Sequence, residues 1–147
     1  KNNCLRIIAV DLKDTKICDL IHYDNAKYSC YSSISSKINS LELCQRIPEG
    51  FLQRFSCIAV FSIKNDDLES CRSIPNENTI SISRDLCLRE IGINKRNLSL
   101  CEEIIDNSYK EECQVEIAIA LKDANLCNLA EKPEMKQWCL DSINVSS

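Results

Sequence analysis

The sequence is poor in the residues that mark loops and that build catalytic or nucleic-acid sites. Only two glycines, three prolines and one histidine occur among 147 residues. Scarce glycine and proline argue against collagen-like, sandwich and linker-rich designs. No basic stripe accompanies the net charge of −4, so we expect no nucleic-acid binding. The longest uncharged apolar runs, such as CIAVF at 57–61, are far too short to span a bilayer.

Cysteine, by contrast, is abundant. A chain of this length could bury roughly 70% of its unfolded surface without covalent cross-links, so its eleven cysteines exceed what size requires. No CxxC motif is present, and disulfides persist mainly outside the cytosol. We therefore expect an extracellular or cell-surface protein. No signal peptide is visible, and we expect that a targeting segment has been removed ahead of Lys1.

The cysteines form two interleaved series with matching intervals, which indicates an internal repeat. Where the series overlap, successive cysteines are 26, 27, 30 and 26 residues apart, so a unit of about 26 residues recurs. The third unit carries a small insertion, NENTISIS, at 76–83. One series is Cys4, Cys30, Cys57, Cys87, Cys113 and Cys139; the other is Cys18, Cys44, Cys71, Cys101 and Cys127.

A short helix is predicted around each cysteine of the second series. Four residues earlier stands a good helix N-cap, and three residues later stands an apolar residue on the same helical face. Turn sequences such as HYDN and PEG follow. The caps are Asp14, Ser40, Asp67, Asn97 and Asp123, and the apolar residues are Ile21, Ile47, Ile74, Ile104 and Ala130.

A second helix is predicted around each cysteine of the first series. An apolar residue stands four positions after the cysteine, and the next position is mostly small, which suits close packing against a neighbouring hairpin. Alternation of period two is absent, so strands are not favoured. The apolar residues are Ile8, Ile34, Phe61, Ile91, Ile117 and Ile143, and the following ones are Ala9, Ser35, Ser62, Gly92, Ala118 and Asn144.

The sequence therefore predicts an all-α fold of disulfide-stapled helical hairpins stacked as a short α-solenoid. We expect residues 1–147 to form a single repeat domain. It would consist of a half unit, 1–13, and the hairpin units 14–39, 40–66, 67–96, 97–122 and 123–147.

Two schemes of disulfide pairing fit the repeat: closure of each hairpin, or links between successive hairpins such as Cys4–Cys18. In LCEEIIDNSYKEEC, at 100–113, both cysteines stand about five residues from the turn and so lie level. In the second scheme the two cysteines differ in height along the helices by several ångströms, because a helix rises about 1.5 Å per residue. That offset is unfavourable for a disulfide, which needs Cα atoms within about 7 Å of each other. This favours the hairpin pairs Cys18–Cys30, Cys44–Cys57, Cys71–Cys87, Cys101–Cys113 and Cys127–Cys139.

The hairpin scheme leaves Cys4 without a partner. One interpretation is that its partner lay upstream and was lost by processing or trimming. The other is an intermolecular bond, which would be symmetric, because an identical copy offers only its own Cys4.

Other candidate chemistry is weak. His22 would need a free thiolate for Cys–His catalysis, but Cys18, its nearest cysteine, is expected to be oxidised. Zinc sites want tight cysteine pairs, and redox sites want CxxC. We expect no catalytic residue, metal or cofactor, and a solvent-facing His22. The acidic pairs Glu102–Glu103, Glu111–Glu112 and Asp66–Asp67 lack EF-hand spacing and are expected on solvated helix faces.

Three of the four tyrosines, Tyr23, Tyr28 and Tyr31, cluster in the first complete hairpin. They suit either core packing, which we favour, or a partner surface, where tyrosine is enriched. Trp138 is expected to pack at the last hairpin or to form its exposed end. The sequons NLS and NVS make Asn97 and Asn144 candidate glycosylation sites.

The phrases DANLCNLAEKPEMKQWC, at 123–139, and EECQVEIAIALKDANLC, at 111–127, resemble a cysteine-containing helical-hairpin repeat of poorly characterised secreted or surface proteins, many of them archaeal or from other prokaryotes. The architecture is similar to tetratricopeptide-like solenoids without their tryptophan–glycine–tyrosine signature. The resemblance spans nearly the whole chain and brings no catalytic residues.

These patterns predict a non-catalytic extracellular scaffold that binds proteins or copies of itself, as a subunit of a filament or surface layer. Apolar residues near the C-terminus, Leu140, Ile143 and Val145, are expected to leave that end poorly sealed and so to favour stacking. The alternative is a secreted binding module that recognises a host protein or small ligand through one face of the solenoid.

Overall fold

The computed structural model describes residues 2–77 and 80–145, and within these ranges it is helical, without a strand. The predicted all-α class is therefore confirmed. Long and short helices alternate along the chain. The long helices are α1 (Asn2–Leu12), α3 (Asp24–Ile38), α5 (Leu52–Asn65), α7 (Ser81–Lys95), α9 (Asn107–Leu121) and α10 (Pro133–Val145). The short ones are α2 (Thr15–Asp19), α4 (Leu41–Gln45), α6 (Leu68–Arg72) and α8 (Leu98–Glu102), with a 3₁₀ segment at Leu126–Leu129.

The chain divides into two compact units, Lys1–Ile74 and Pro75–Ser147. In the first, α3 packs against both α1 and α5, and α2, α4 and α6 pack against the long helices that precede them. In the second, α9 packs against both α7 and α10, and α8 contacts α7 and α9. The division falls inside the predicted hairpin unit 67–96, and the single repeat domain stays a prediction. None of the described helices is long and apolar enough to cross a membrane.

Capping side chains begin most of the short helices where the sequence predicts. Asp14 accepts from the backbone N–H of Lys16 at 2.9 Å, and Asp67 accepts from that of Ser70 at 3.0 Å. Asn97 caps α8 in the same way. Ser40 occupies the N-cap of α4 without a side-chain hydrogen bond. Each bonded cap satisfies an N–H that the first helical turn would otherwise leave open.

The last short element differs from the others. Asp123 accepts from the backbone N–H of Asn125 at 2.9 Å, and the 3₁₀ segment begins only after Asn125. The predicted short helix of this hairpin is thus a 3₁₀ turn. Its N-cap is Asn125, two residues after Asp123, which is the predicted cap.

Five long helices end in the same reversal, in which a residue with positive φ is followed by the start of the next short element. The residue after the positive-φ residue donates its backbone N–H to the carbonyl of the small residue five positions before it, as Asn97 does to Gly92 at 2.9 Å. This is the Schellman arrangement, usually built on glycine because other residues strain there. Here the positive-φ residues are Lys13, Asn39, Asp66, Arg96 and Lys122, at φ between 51° and 59°.

The core runs along the side of the long helices that carries the cysteines. Ile34, Ile91 and Ile117, each four residues after a cysteine, are completely buried. Burial of one such side chain contributes roughly 1.5–3 kcal/mol. The equivalent Ile8 on α1 is exposed instead.

Candidate functional site

Disulfides close the hairpins between a short element and the long helix that follows it. The bonded pairs have Cα atoms 5.4–5.7 Å apart, within the range that an unstrained bridge needs. Ten of the cysteines are disulfide-bonded, which makes five disulfide-distance pairs. Such a number of bridges suggests an oxidising compartment. The pairs with described geometry are Cys18–Cys30, Cys44–Cys57, Cys101–Cys113 and Cys127–Cys139.

Each of two disulfides also packs against the preceding long helix, at the position that the sequence keeps small. In the first unit, Ser35 Oγ on α3 lies 3.1 Å from Cys44 Sγ, and its hydroxyl donates to the carbonyl of Ser40. In the second unit, a Cβ placed on Gly92 of α7 would lie 3.2 Å from Cys113 Sγ. The sulfur atoms of Cys44 and Cys113 therefore pack between hairpins as well as within them.

Two buried carboxylates join successive hairpins of the second unit, and sequence reasoning missed both. Asp85 on α7 accepts from the backbone N–H groups of Ile105 and Asp106, at 3.3 and 2.9 Å. Glu111 on α9 accepts from that of Lys132 at 2.7 Å. Both stand two residues before a cysteine, and both bind the turn of the following hairpin. Glu111 is 6% exposed, so its expected place on a solvated helix face was wrong.

The environment of Glu111 favours its charged form despite this burial. Burial alone would raise the pKa of the carboxyl, but hydrogen bonds from the backbone and the ammonium of Lys132 outweigh it and lower the pKa below its ordinary value of 4.5. The Lys132 Nζ lies 3.2 Å from a Glu111 carboxylate oxygen. The carboxylate of Glu111 therefore joins α9 to the turn of the last hairpin.

A basic residue stands three positions before the cysteine of several long helices, and two of these residues cover the end of a short helix: Arg54 in its own hairpin and Arg84 in the following hairpin. Arg54 donates to the carbonyls of Gln45 and Ile47, both at 2.7 Å, and Arg84 donates to that of Glu103 at 3.1 Å. A cation there satisfies free carbonyls and complements the helix dipole. The regular spacing of Lys27, Arg54, Arg84, Lys110 and Lys136 is a sequence signal for this position, at which Arg54 and Arg84 bind the helix-end carbonyls.

The three tyrosines, for which core packing is favoured over a partner surface, do not share one exposed face. Tyr31 is buried, 4% exposed, with its hydroxyl donating to Asp19 and the guanidinium of Arg46 5.0 Å above its ring. Tyr28 is partly buried, and its ring contacts that of Phe51 edge-on at 4.5 Å. Only Tyr23 is exposed. The partner-surface interpretation of this group was therefore wrong for Tyr31.

Burial, together with the hydrogen bond to Asp19 and the charge of that carboxylate, raises the pKa of Tyr31 to about 12. The phenol therefore stays protonated at physiological pH.

The remaining predicted residues lie apart from one another. His22 and Asn144 are exposed. Asn97 is exposed as well, and its side-chain oxygen accepts from the N–H and the hydroxyl of Ser99. Glycosylation of the two asparagines stays a prediction. Over residues 2–77 and 80–145, the structure groups no three His, Cys, Asp or Glu side chains in a way that could hold a metal ion.

Helix α1 presents an apolar stripe to the surface, which we call the α1 stripe. It consists of Cys4, Ile7, Ile8 and Leu12, at the spacing of one helical face. The three apolar side chains are 50%, 42% and 67% exposed, and Cys4 is exposed with a free thiol.

A groove of about 300 Å³ lies in the second unit and is the most apolar of the cavities described. We call it the Trp138 groove. Its lining combines Met135 and Trp138 of α10 with Glu112 and Glu116 of α9 and Arg89 of α7. Trp138 is 45% exposed, so this end of the last hairpin offers a large aromatic surface.

Comparison with known proteins identifies no relative. No protein-family model, curated protein or solved structure matches the chain.

Proposed function

We propose that the protein is a non-catalytic scaffold of an extracellular or cell-surface location, built from stacked, disulfide-closed helical hairpins. It works through protein–protein contacts, including contacts with copies of itself. Two features support this proposal. The sulfur atoms are used in packing, and the buried carboxylates bind backbone N–H groups of the following turn, so both kinds of reactive side chain are committed to structure.

The solenoid arrangement is part of the proposal. Within each unit, consecutive long helices are neighbours, and contacts of three kinds join successive hairpins. The small residue of a long helix packs on a disulfide sulfur, and the residue two positions before the cysteine contacts the turn of the next hairpin. The long helix then ends in the Schellman reversal. An array that repeats one interface along the chain has the organisation of a helical solenoid.

The α1 stripe is the observation that carries the self-assembly part of the proposal. It is a contiguous run of exposed aliphatic side chains, whereas α10 exposes mostly polar residues outward. Contiguous apolar surface of this kind marks interaction sites in soluble proteins. The outward residues of α10 include Glu134, Gln137, Asp141 and Asn144.

The C-terminal end contributes less to assembly than the sequence suggests. Ile143 is buried within its own unit and Leu140 is partly buried. The side chain of Val145 lies outside the described residues. We therefore assign self-association to α1.

Sedimentation velocity over a range of concentrations tests this assignment. We expect the oxidised wild type to associate reversibly, and Ile8→Ser with Leu12→Ser to remain monomeric. Leu52→Ser is the matched control, because the exposure of Leu52 on α5 lies between those of Ile8 and Leu12 and its replacement should leave association intact. Cys4→Ser separates covalent from non-covalent dimers on non-reducing gels. A wild type that stays monomeric at high concentration contradicts the self-assembly proposal.

The alternative function, a secreted binding module, is favoured by the Trp138 groove. The groove offers one concave, partly apolar surface on the side of the second unit, which is the kind of site that such a module would use. Screening the chain against basic and neutral peptides would distinguish this function from self-assembly, because the groove and the α1 stripe share no residue.

A further inference from the structure

The Trp138 groove has an apolar part made by two side chains of α10. The indole of Trp138 is nearly half exposed, and Met135 is partly buried beside it. An indole face attracts cations through its quadrupole. The thioether of methionine is flexible and adapts to different aliphatic shapes. Together these side chains can cover an alkyl chain and face a positive charge.

The charged part of the groove carries an excess of carboxylates. Arg89 Nη1 lies 3.2 Å from Glu112 Oε2, and Arg89 Nη2 lies 3.2 Å from Glu90 Oε1. The single positive charge of Arg89 is therefore shared between two carboxylates. Glu116 also lines the groove, and its carboxylate makes no ion pair or hydrogen bond with any residue in 2–77 or 80–145. Among the residues that line the groove, one guanidinium stands against the two carboxylates of Glu112 and Glu116, which leaves a local charge of about −1.

From this combination we propose that the Trp138 groove binds a lysine or arginine side chain of a partner protein. The aliphatic stem of the bound residue packs on Trp138 and Met135. Its cationic head lies between the indole face and Glu116, which supplies the ion pair that the protein itself leaves unmade. A basic side chain satisfies both parts of the groove, because it alone combines an apolar stem with a positive end.

The inference deepens the binding-module alternative and does not depend on self-assembly. Failure of the groove to bind would leave the sedimentation behaviour of the α1 variants unchanged. Failure of self-assembly would likewise leave the groove measurements unchanged.

Trp138 provides the readout, because it is the only tryptophan in the chain. Nα-acetyl-lysine methylamide, with its side-chain ammonium free, is titrated into the oxidised protein while the indole N–H resonance and the tryptophan fluorescence are followed. The uncharged analogue Nα-acetyl-norleucine methylamide, which keeps the four side-chain carbons and lacks the ammonium group, is titrated in parallel. We expect a saturable shift with the lysine derivative that weakens as salt is added, and a clearly smaller response to the norleucine derivative.

Glu116→Gln tests the ion pair while nearly preserving side-chain shape. We expect it to weaken binding of the lysine derivative about three- to five-fold, which is the range of a partly exposed ion pair. It should leave the norleucine response unchanged. Glu42→Gln is the matched control: Glu42 is an exposed acid on α4, in the other unit, and its neutralisation should alter neither titration.

Equal responses to the lysine and norleucine derivatives in the wild type would overturn the inference, and so would the absence of any saturable response. Unchanged lysine binding in Glu116→Gln would also overturn it. The wild-type comparison of the two ligands needs no variant, so the inference is tested even if Glu116→Gln folds poorly.

Discussion

The contact between Gly92 and the sulfur of Cys113 can be tested as a double-mutant cycle. Gly92→Ala adds a Cβ 3.2 Å from Cys113 Sγ, while the next-nearest atoms, Leu100 Cβ and the Asn97 carbonyl oxygen, lie at 3.4 and 3.6 Å. The sulfur is thus the only neighbour that must move. The same substitution is made in the wild type and in a chain that carries Cys101→Ala and Cys113→Ala.

Two opposing effects set the magnitude. Alanine is more favourable than glycine in a helix interior by about 1 kcal/mol, and forcing an extra carbon into a packed core costs about 1–3 kcal/mol. In the wild type, Gly92→Ala should therefore lower the free energy of unfolding by up to about 2 kcal/mol. Without the sulfur, only the helix propensity acts, and the same change should raise the free energy of unfolding by about 1 kcal/mol.

The assay is urea unfolding followed by far-ultraviolet circular dichroism, without reductant. Loss of the disulfide lowers stability by about 3 kcal/mol by itself, and the other four bridges keep that background folded enough to measure. Gly50→Ala is the control, because a Cβ there meets no atom within 4 Å, and its effect should be equal in both backgrounds. If Gly92→Ala changes stability equally in both, to within about 0.5 kcal/mol, the packing of sulfur on the preceding helix has no energetic weight.

The remaining predictions concern four single residues. Ser62 Oγ is buried without a hydrogen-bond partner among the residues that the structure describes, so Ser62→Ala should raise the free energy of unfolding by about 1 kcal/mol. Ser35→Ala, which removes the hydroxyl bonded to Ser40, should lower it by a similar amount; equal effects in urea unfolding would contradict this account. Arg96 holds φ at 51°, so Arg96→Gly should stabilise by about 0.5–1 kcal/mol in thermal melts while Arg96→Ala should not. The raised pKa of Tyr31 contributes stability that is complete below its ordinary value of 10 and is lost as pH rises through about 12. The stability advantage of the wild type over Tyr31→Phe should therefore shrink between these pH values, and a constant difference would refute the assignment.

Much of the secondary structure could be predicted because local interactions determine it. Asp14, Asp67 and Asn97 cap helices that begin directly after them, because a short polar side chain can reach the first free N–H groups of its own turn. The apolar residue four positions after a cysteine predicts which side of the long helix is buried, as at Ile34 and Ile117. These signals depend on residues a few positions apart.

The candidate sites were harder to predict because they depend on residues from different hairpins. Glu111 looks like a surface acid in its own helix, and its burial follows from Lys132, which is 21 residues away in the chain. The Trp138 groove likewise needs side chains of α7, α9 and α10 together. The aromatic group in the first hairpin separated into buried Tyr31 and exposed Tyr23 because Asp19 and Arg46 enclose only one of them.

By itself, the sequence determined that this chain forms helical hairpins with a cysteine on each helix, because caps, turns and helical periodicity act within about one hairpin's length. The tertiary structure alone decided which polar groups are buried between hairpins, where sulfur packs on a neighbouring helix and which acid has no ion-pair or hydrogen-bond partner within the described part of the chain. Those outcomes depend on the distance between side chains far apart in sequence, and helix packing sets that distance.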